Sequence, residues 1–397
     1  MSKLFSGISL GGLRLDNRVA VSPMCQYSAV NGVAQDWHLI HLGSLALSGA
    51  GLVIAEATAV EAAGRITHGC LGLWNDEQEE ALARIVRATK AYSHAALGIQ
   101  LGHAGRRASC QSISTRSTRE WLDIGEGAWQ TYGPSATSYN EGWHTPVEMT
   151  ESDILRVITA FAQAARRADR AGFDLIEIHG AHGYLIHQFM SPLTNKRTDT
   201  WGGSLDNRLR FALEVARAVR SVWPQSKALG FRVNSKDWHP DGLSLDDAIV
   251  LCQALKEIGV DYAVMSAGNL VPDAKIPRAT PGHQVAFAMR VKKETGLTAM
   301  AVGFIVDPKL ADDIIMEGRA DMVAIGRAFL DNPRWALHAA ATLGVDPDYP
   351  PQYVRIRPNN WIGFTTAHPG VVAPQTFKQA DRPQSTTWDR PSAESKK

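Results

Sequence analysis

With 397 residues, 45% hydrophobic and 20% charged, the chain can bury a large core, and its composition fits neither a disordered nor a collagen-like protein. Its 41 Lys and Arg nearly cancel its 40 Asp and Glu, and a net charge of +1 counts against an electrostatic nucleic-acid binder, which needs a basic face. The four cysteines, Cys25, Cys70, Cys110 and Cys252, are too far apart for a C-x-x-C pair and too few for a secreted disulfide scaffold, so a reducing cytoplasm is expected.

Met1 to Asn17 lacks the apolar core of a signal peptide. The longest stretch without Asp, Glu, Lys or Arg, His38 to Ala55, is broken by His, Ser and Gly, and reads as helix, turn and strand rather than a membrane span. Eight short apolar runs predict strands: Val19–Ser22, Leu52–Ala57, Leu97–Leu101, Leu175–His179, Leu229–Val233, Tyr262–Ser266, Thr298–Val302 and Met322–Ile325. Helical patterns fall between them. Asp76–Tyr92 and Leu205–Trp223 carry i, i+3, i+4 apolar spacing. Thr150 and Ser244 are N-caps followed by first-turn carboxylates, with stops near Gly172 and Gly259, and Asp307-Pro308 puts proline at a first helical position.

Eight such alternations predict an α/β fold, a single (β/α)₈ TIM barrel over residues 1–345, with an open doubly wound sheet as the runner-up because counting does not prove closure. The third connection, from Leu101 to Thr150, is about fifty residues long and would lie as a lid on the C-terminal face. Beyond Leu343 the chain turns Pro-rich, giving an irregular C-terminal extension over 346–378, and the polar segment 379–397 is expected to be a disordered tail.

In a parallel barrel the strand ends form the active face, so the residues just past each run come first. They are Ser22-Pro23-Met24-Cys25-Gln26-Tyr27, Gln100 and His103, His179 through Tyr184, Arg232, Gly303, and Gly326-Arg327. Gly303 and Gly326-Arg327 follow strands seven and eight, the usual phosphate site of barrels; the bland alternative is that the glycines turn the chain and Arg327 is a surface charge. His179-x-x-His182 lacks the third ligand that a metal needs, so no metal is expected. The pair instead offers two N–H donors to one ligand oxygen, with Tyr184 as a nearby proton source, or else consists of satisfied polar residues at a strand end. Cys25 reads as a nucleophile, a small buried hydrophobe or a sulfur packed on a cofactor. Trp121, Trp129 and Trp143 are loop core or substrate contacts. No G-x-G-x-x-G opens a helix after a strand, which argues against a Rossmann domain.

Three segments in order, Ser22–Ser28, Ile178–Leu185, and Ser191–Asp199 followed by Trp201–Arg208, resemble the old yellow enzyme family of FMN-dependent ene-reductases, in its bacterial thermophilic-like, xenobiotic reductase class. The likeness runs from about Leu4 to Leu343 and implies one barrel holding FMN non-covalently. Ser22, Pro23, Met24 and Cys25 would lie along the isoalloxazine, Ala57 and Gln100 at its polar edge, and Arg232 near N1 and C2=O. Gly303, Gly326 and Arg327 would hold the phosphate. His179 and His182 would bind the substrate oxygen, Tyr184 would give the proton, Tyr27 would add a second phenol, and Cys25 would modulate the flavin potential. NADPH or NADH would reduce the flavin and leave before an α,β-unsaturated carbonyl or nitroalkene enters the same place, a ping-pong scheme.

Larger relatives carry a cysteine cluster for an iron–sulfur centre after the barrel, and here Cys252 is the last cysteine. The class is also homo-oligomeric, dimer or tetramer, with an arginine inserted from a neighbouring subunit. Gln352-Tyr353-Val354-Arg355 resembles that element, with Trp361 nearby as a second candidate. Val302 stands where some xenobiotic reductases have Trp, which implies a roomier pocket. Three alternatives stay open: a flavin enzyme run in the desaturating direction or on nitro and quinone compounds, a phosphate-binding barrel lyase or aldolase, and a non-catalytic flavin-binding protein.

Overall fold

The computed structural model describes residues 2–113, 120–346, 349–368 and 371. Eight strands line the centre: β1 Val19–Val21, β2 Leu52–Ala59, β3 Ala96–Gly102, β4 Leu175–Gly180, β5 Ala228–Asn234, β6 Tyr262–Ser266, β7 Thr298–Ala301 and β8 Met322–Ile325. Each pairs in parallel with the next, and β8 returns to β1 through Val323 opposite Val19 and Ile325 opposite Val21. The sheet therefore closes, and the open-sheet alternative is excluded. The strands are buried on both faces, as parallel strands covered by helices must be, which is why they read as nearly continuous apolar runs.

The helices alternate with the strands: α1 Asp36–Ala46, α2 Asp76–Lys90, α3 Glu151–Arg170, α4 Leu205–Arg220, α5 Leu245–Ile258, α6 Val285–Thr295, α7 Pro308–Met316 and α8 Trp335–Thr342. Their starts are chemically set. Thr150 and Ser244 accept the N–H groups of Asp153 and Asp247, and Asp307 accepts those of Lys309 and Leu310 ahead of Pro308. Each such cap contributes about 1 kcal/mol. Helix α3 buries Ile154, Val157, Phe161, Ala164, Ala165 and Ala168 on one stripe against the barrel wall. Its exposed side keeps Arg167 and Arg170 paired with Glu79 of α2.

Four short strands lie outside the eight predicted runs. Ile8–Leu10 and Leu13–Leu15 form a hairpin whose Leu10 and Leu15 pack with Ala20, Leu52, Leu175 and Tyr262, sealing the N-terminal mouth of the barrel. Strand β2 also runs past Ala57, where its predicted end lay, because a bulge between Ala55 and Ala57 resets its register on β3 and carries it to Ala59. The long loop after β3 is partly structured. Tyr132–Gly133 pairs in parallel with Val147–Glu148, and Arg197 donates to the carbonyls of Pro134 and Met149. Within this loop Trp143 is buried between Trp121 and Tyr139, so those two tryptophans are loop core. Trp129 instead packs edge-on to His68 under the guanidinium of Arg65.

After α8, a 3₁₀ helix, Pro351–Ile356, carries an exposed Arg355, and a short helix, Phe364–Ala367, brings His368 onto His338 with ring centroids 4.6 Å apart. Trp361 packs there, edge-on to Phe364. The expected disordered tail, 379–397, lies outside the described residues.

Candidate active site

Alternation along the strands turns one residue in two toward the barrel axis, and near the C-terminal mouth these inward residues become polar. Parallel register sets Gln100 of β3 opposite Glu177 of β4, and His179 of β4 opposite Arg232 of β5. Gln100 Nε2 donates to Glu177 Oε1 at 2.6 Å, and the Tyr262 hydroxyl donates to Oε2 at 3.4 Å. The tyrosine ring crosses the axis over Gly230, where a Cβ would lie 2.0 Å from its Cζ, so no larger residue fits. Burial raises the Glu177 carboxyl above the usual range against the pull of the Arg232 charge, and burial lowers Arg232 in turn.

Arg232 Nε is shielded from solvent and has no hydrogen-bond partner. A buried cation with an unmet donor calls for an acceptor from outside the chain. The partly exposed Ala57 sits beside Gln100 just above, because the β2 bulge brings it inward. Glu177 and Tyr262 were absent from the residues singled out in the sequence. The available signal was a carboxylate in the middle of an otherwise apolar strand, Leu-Ile-Glu-Ile-His.

One wall is the segment after β1. Ser22 donates its N–H to Ile325 and so ties the end of β1 to β8. The turn that follows is held by the bulge residue Glu56, whose Oε2 accepts the Gln26 N–H at 3.0 Å, while Gln26 Nε2 reaches back to the Met24 carbonyl. His38 of α1 approaches the other Glu56 oxygen at 3.3 Å, so this carboxylate anchors the turn from below. Tyr27 adopts φ +52° to turn the chain. Burial, with Cys70 and Glu56 nearby, pushes the Cys25 thiol well above its ordinary value. A thiol held protonated is a poor nucleophile, which leaves the contact roles for Cys25.

The opposite wall is the turn after β4. His179 is buried, and its Nδ1 accepts the Ala181 N–H at 3.3 Å, which leaves the proton on Nε2. His182, at φ +60°, places Nε2 2.7 Å from Ser266 Oγ at the end of β6. The two rings meet edge-on with centroids 5.1 Å apart, and the Tyr184 ring stands 5.0 Å from that of His179. Burial, then the Arg232 charge, lower both imidazoles well below the ordinary value. Both are therefore neutral at pH 7. Burial raises the Tyr184 phenol, so it too is protonated.

Sequence patterns gave no hint of what holds this turn. His187 Nδ1 accepts the Gly183 N–H, and its Nε2 meets Asp237 Oδ1 at 2.7 Å. Asp237 also accepts from Ser191, Asn234 and Leu243, a wholly buried knot beneath the loops. The distinctive Ser191–Arg208 segment proves to be a brace: Asn195 Nδ2 donates to the carbonyls of Phe189 and Trp201, and Arg208 Nε to that of Met190. His103 likewise belongs to a structural bridge, with Glu61 and Arg156, that joins the loops after β2 and β3.

At the third side, Gly303 follows β7 with φ +109°, and a Cβ there would press the Gln284 backbone N at 3.2 Å. Gly326 follows β8 beside Met24 Sδ and Ser22. Arg327 begins the short helix Arg327–Asp331 and is solvent-exposed. The structure thus brings Ser22, Ala57, Gln100, His179, His182, Arg232, Gly303 and Gly326 to adjoining strand ends around one mouth, with Pro23 to Tyr27, Tyr184 and Arg327 on the loops above.

A closed barrel with a buried arginine on its floor whose Nε lacks a partner, glycines at the ends of β7 and β8 and neutral imidazoles at its rim is the architecture of a flavin-binding barrel oxidoreductase. The chain belongs to the NADH:flavin oxidoreductase / NADH oxidase family, whose profile matches residues 3–345. It is 43% identical over 354 residues to an NADPH dehydrogenase of Geobacillus thermodenitrificans, covering 89% of this chain and 98% of that one. Among solved structures, morphinone reductase superposes with a TM-score of 0.72 at 28% identity, over 88% of this chain and 92% of its own. A 2-naphthoyl-CoA reductase in complex with 2-naphthoyl-CoA reaches a TM-score of 0.77 at 25% identity over 88% of this chain, which spans about half, 53%, of that longer protein. The chain is thus an NAD(P)H-dependent FMN oxidoreductase of the old yellow enzyme family, and the lyase or aldolase alternative falls away.

Proposed function

We propose that this oxidoreductase is an ene-reductase in which His179 and His182 bind the substrate oxygen and Tyr184 protonates its α-carbon. The observation that carries the assignment is the group of three: two imidazoles edge-on at 5.1 Å with the Tyr184 ring 5.0 Å from the first, beside Arg232, whose shielded Nε has no hydrogen-bond partner. When bound, FMN would supply hydride transfer between a reduced nicotinamide and the β-carbon of an activated alkene. Arg232, Gln100 and Ala57 would hold its polar edge, Pro23, Met24 and Cys25 its face, and Gly303, Gly326 and Arg327 its phosphate. Neutral donors suit this task, because they strengthen as charge builds on the carbonyl or nitro oxygen and carry no proton that the substrate could strip away in the ground state. Tyr184 then breaks its O–H bond as a C–H bond forms, and solvent restores the phenol. Tyr27, across the mouth with Cys25, would supply a second hydroxyl at the substrate oxygen.

The test is direct. The purified protein should be yellow, NADPH should bleach it anaerobically, and cyclohexenone should restore the colour with release of cyclohexanone. A colourless protein that takes up no FMN, or a bleached one that no enone, quinone or nitro compound reoxidises, would overturn the assignment. We further propose a cytoplasmic homo-oligomer in which Arg355, exposed on its 3₁₀ turn, or Trp361 enters the mouth of a neighbouring subunit. Four unpaired thiols fit that compartment, and no helix among the described residues is long and apolar enough to cross a membrane.

A further inference from the structure

Arg107, just past β3 on the long loop, is one of the side chains that tie the turn after β4 to the rest of the mouth. Its Nη1 donates to the His182 carbonyl at 2.8 Å and to the Asn269 carbonyl at 2.9 Å. Both acceptor residues sit in the left-handed region, at φ +60° and +66°, where a non-glycine residue is held at a cost. The two corners also touch, for a Cβ on Gly183 would lie 2.2 Å from the Asn269 oxygen. A single guanidinium thus bolts the turn after β4 to the turn after β6, across which His182 meets Ser266.

The same guanidinium lies between two phenol rings. Its Cζ stands 4.6 Å from the Tyr139 ring centre and 5.7 Å from that of Tyr184. Burial raises the Tyr184 phenol, and the Arg107 charge pulls the other way. We propose that Arg107 is a positioning residue of the reductase: it fixes the His182 donor through two backbone carbonyls, and its charge over the face of Tyr184 stabilises the phenolate that proton donation leaves behind.

This inference rests on Tyr184 being the proton donor. Hydride arrives at the β-carbon and breaks the C=C π bond, whose electron pair takes the Tyr184 proton at the α-carbon while the O–H pair stays on the phenol oxygen. The negative charge created in that step appears on the phenol, beside Arg107, and vanishes when water reprotonates it. An oxidant such as a quinone needs no protonation at carbon. It therefore uses His179 and His182 without calling on the tyrosine.

The experiment is to measure, on the FMN-loaded protein, the ratio of cyclohexenone to quinone turnover for wild type, R107Q, R107K and Y184F, together with the dissociation constant for p-hydroxybenzaldehyde from its long-wavelength absorbance. Loss of the charge in R107Q should lower the enone-to-quinone ratio about ten-fold, a part of the roughly 10²–10⁴-fold that general-acid catalysis contributes. R107K, which keeps the charge but not the planar fork, should restore the ratio to within about two-fold while weakening phenol binding several-fold. A ratio that Y184F lowers but R107Q does not would overturn the role of Arg107 and leave the tyrosine assignment standing. A ratio that Y184F leaves intact would overturn both. Should R107Q fail to fold, R107K alone decides, since a lowered ratio with the charge retained contradicts the proposal.

Discussion

Removing both rim imidazoles, in H179A/H182A, should separate substrate binding from cofactor binding. His179 Nδ1 is committed to the Ala181 N–H, so its Nε2 proton is free to meet a ligand, and both rings are neutral because burial and Arg232 disfavour their charged forms. A hydrogen bond to a charged oxygen contributes about 1.5–3 kcal/mol, so two donors to a phenolate amount to about 3–6 kcal/mol. At about 1.4 kcal/mol per decade, that is about 10²–10⁴ in dissociation constant. The Ser266 hydroxyl, 2.7 Å from His182 Nε2, shares one of those donors and moves the expectation toward the lower end. The floor formed by Gln100, Glu177 and Arg232 is untouched, so FMN should stay bound. The assay is a titration of the yellow protein with a para-substituted phenol, followed by the band it induces on the flavin. A double variant that binds the phenol within about three-fold of wild type would refute the role of the donors, and one that loses FMN would show that these rings hold the cofactor instead.

Acid stability should report the same two residues. Their folded-state pKa values lie below the unfolded value of about 6.5, so above that pH neither state carries the protons, and below it only the unfolded chain takes them up. Stability should therefore fall as pH drops through about 6.5, by up to roughly 2.7 kcal/mol per pH unit for the pair. Urea midpoints of the apoprotein from pH 8 to 5 should show a shallower slope for H179A/H182A, and coincident slopes would contradict the burial argument. A second acid loss is expected between about pH 4.5 and 2, where Glu61, its pKa lowered to about 2 by His103 and Arg156, releases its hold on the β2 and β3 loops. R232M removes the floor cation with its unpartnered Nε, and FMN affinity read by flavin fluorescence quenching should weaken about 10–100-fold. Unchanged affinity would mean that Arg232 faces something other than the flavin.

Much of this protein was legible in local sequence because the terms that write it are local. Caps at Thr150, Ser244 and Asp307, stops at Gly172 and Gly259, and apolar runs of strand length all report short-range backbone chemistry, and they locate the eight βα units. The rim groups were legible for a related reason: a barrel presents its chemistry just past each strand, so His179, His182, Tyr184, Arg232, Gly303 and Gly326 could be picked out by position alone. Closure was not in the pattern. It depends on β8 meeting β1 across three hundred residues, a register that no window of sequence contains. Tertiary packing likewise gives the plug hairpin, the turn-anchoring pair of Glu56 and His38, the Glu177 beneath Arg232 and the reach of Arg107 to Asn269 their roles. Those residues acquire their meaning from neighbours that only a closed wall brings within hydrogen-bonding range, where low dielectric makes each unmet donor or charge decisive.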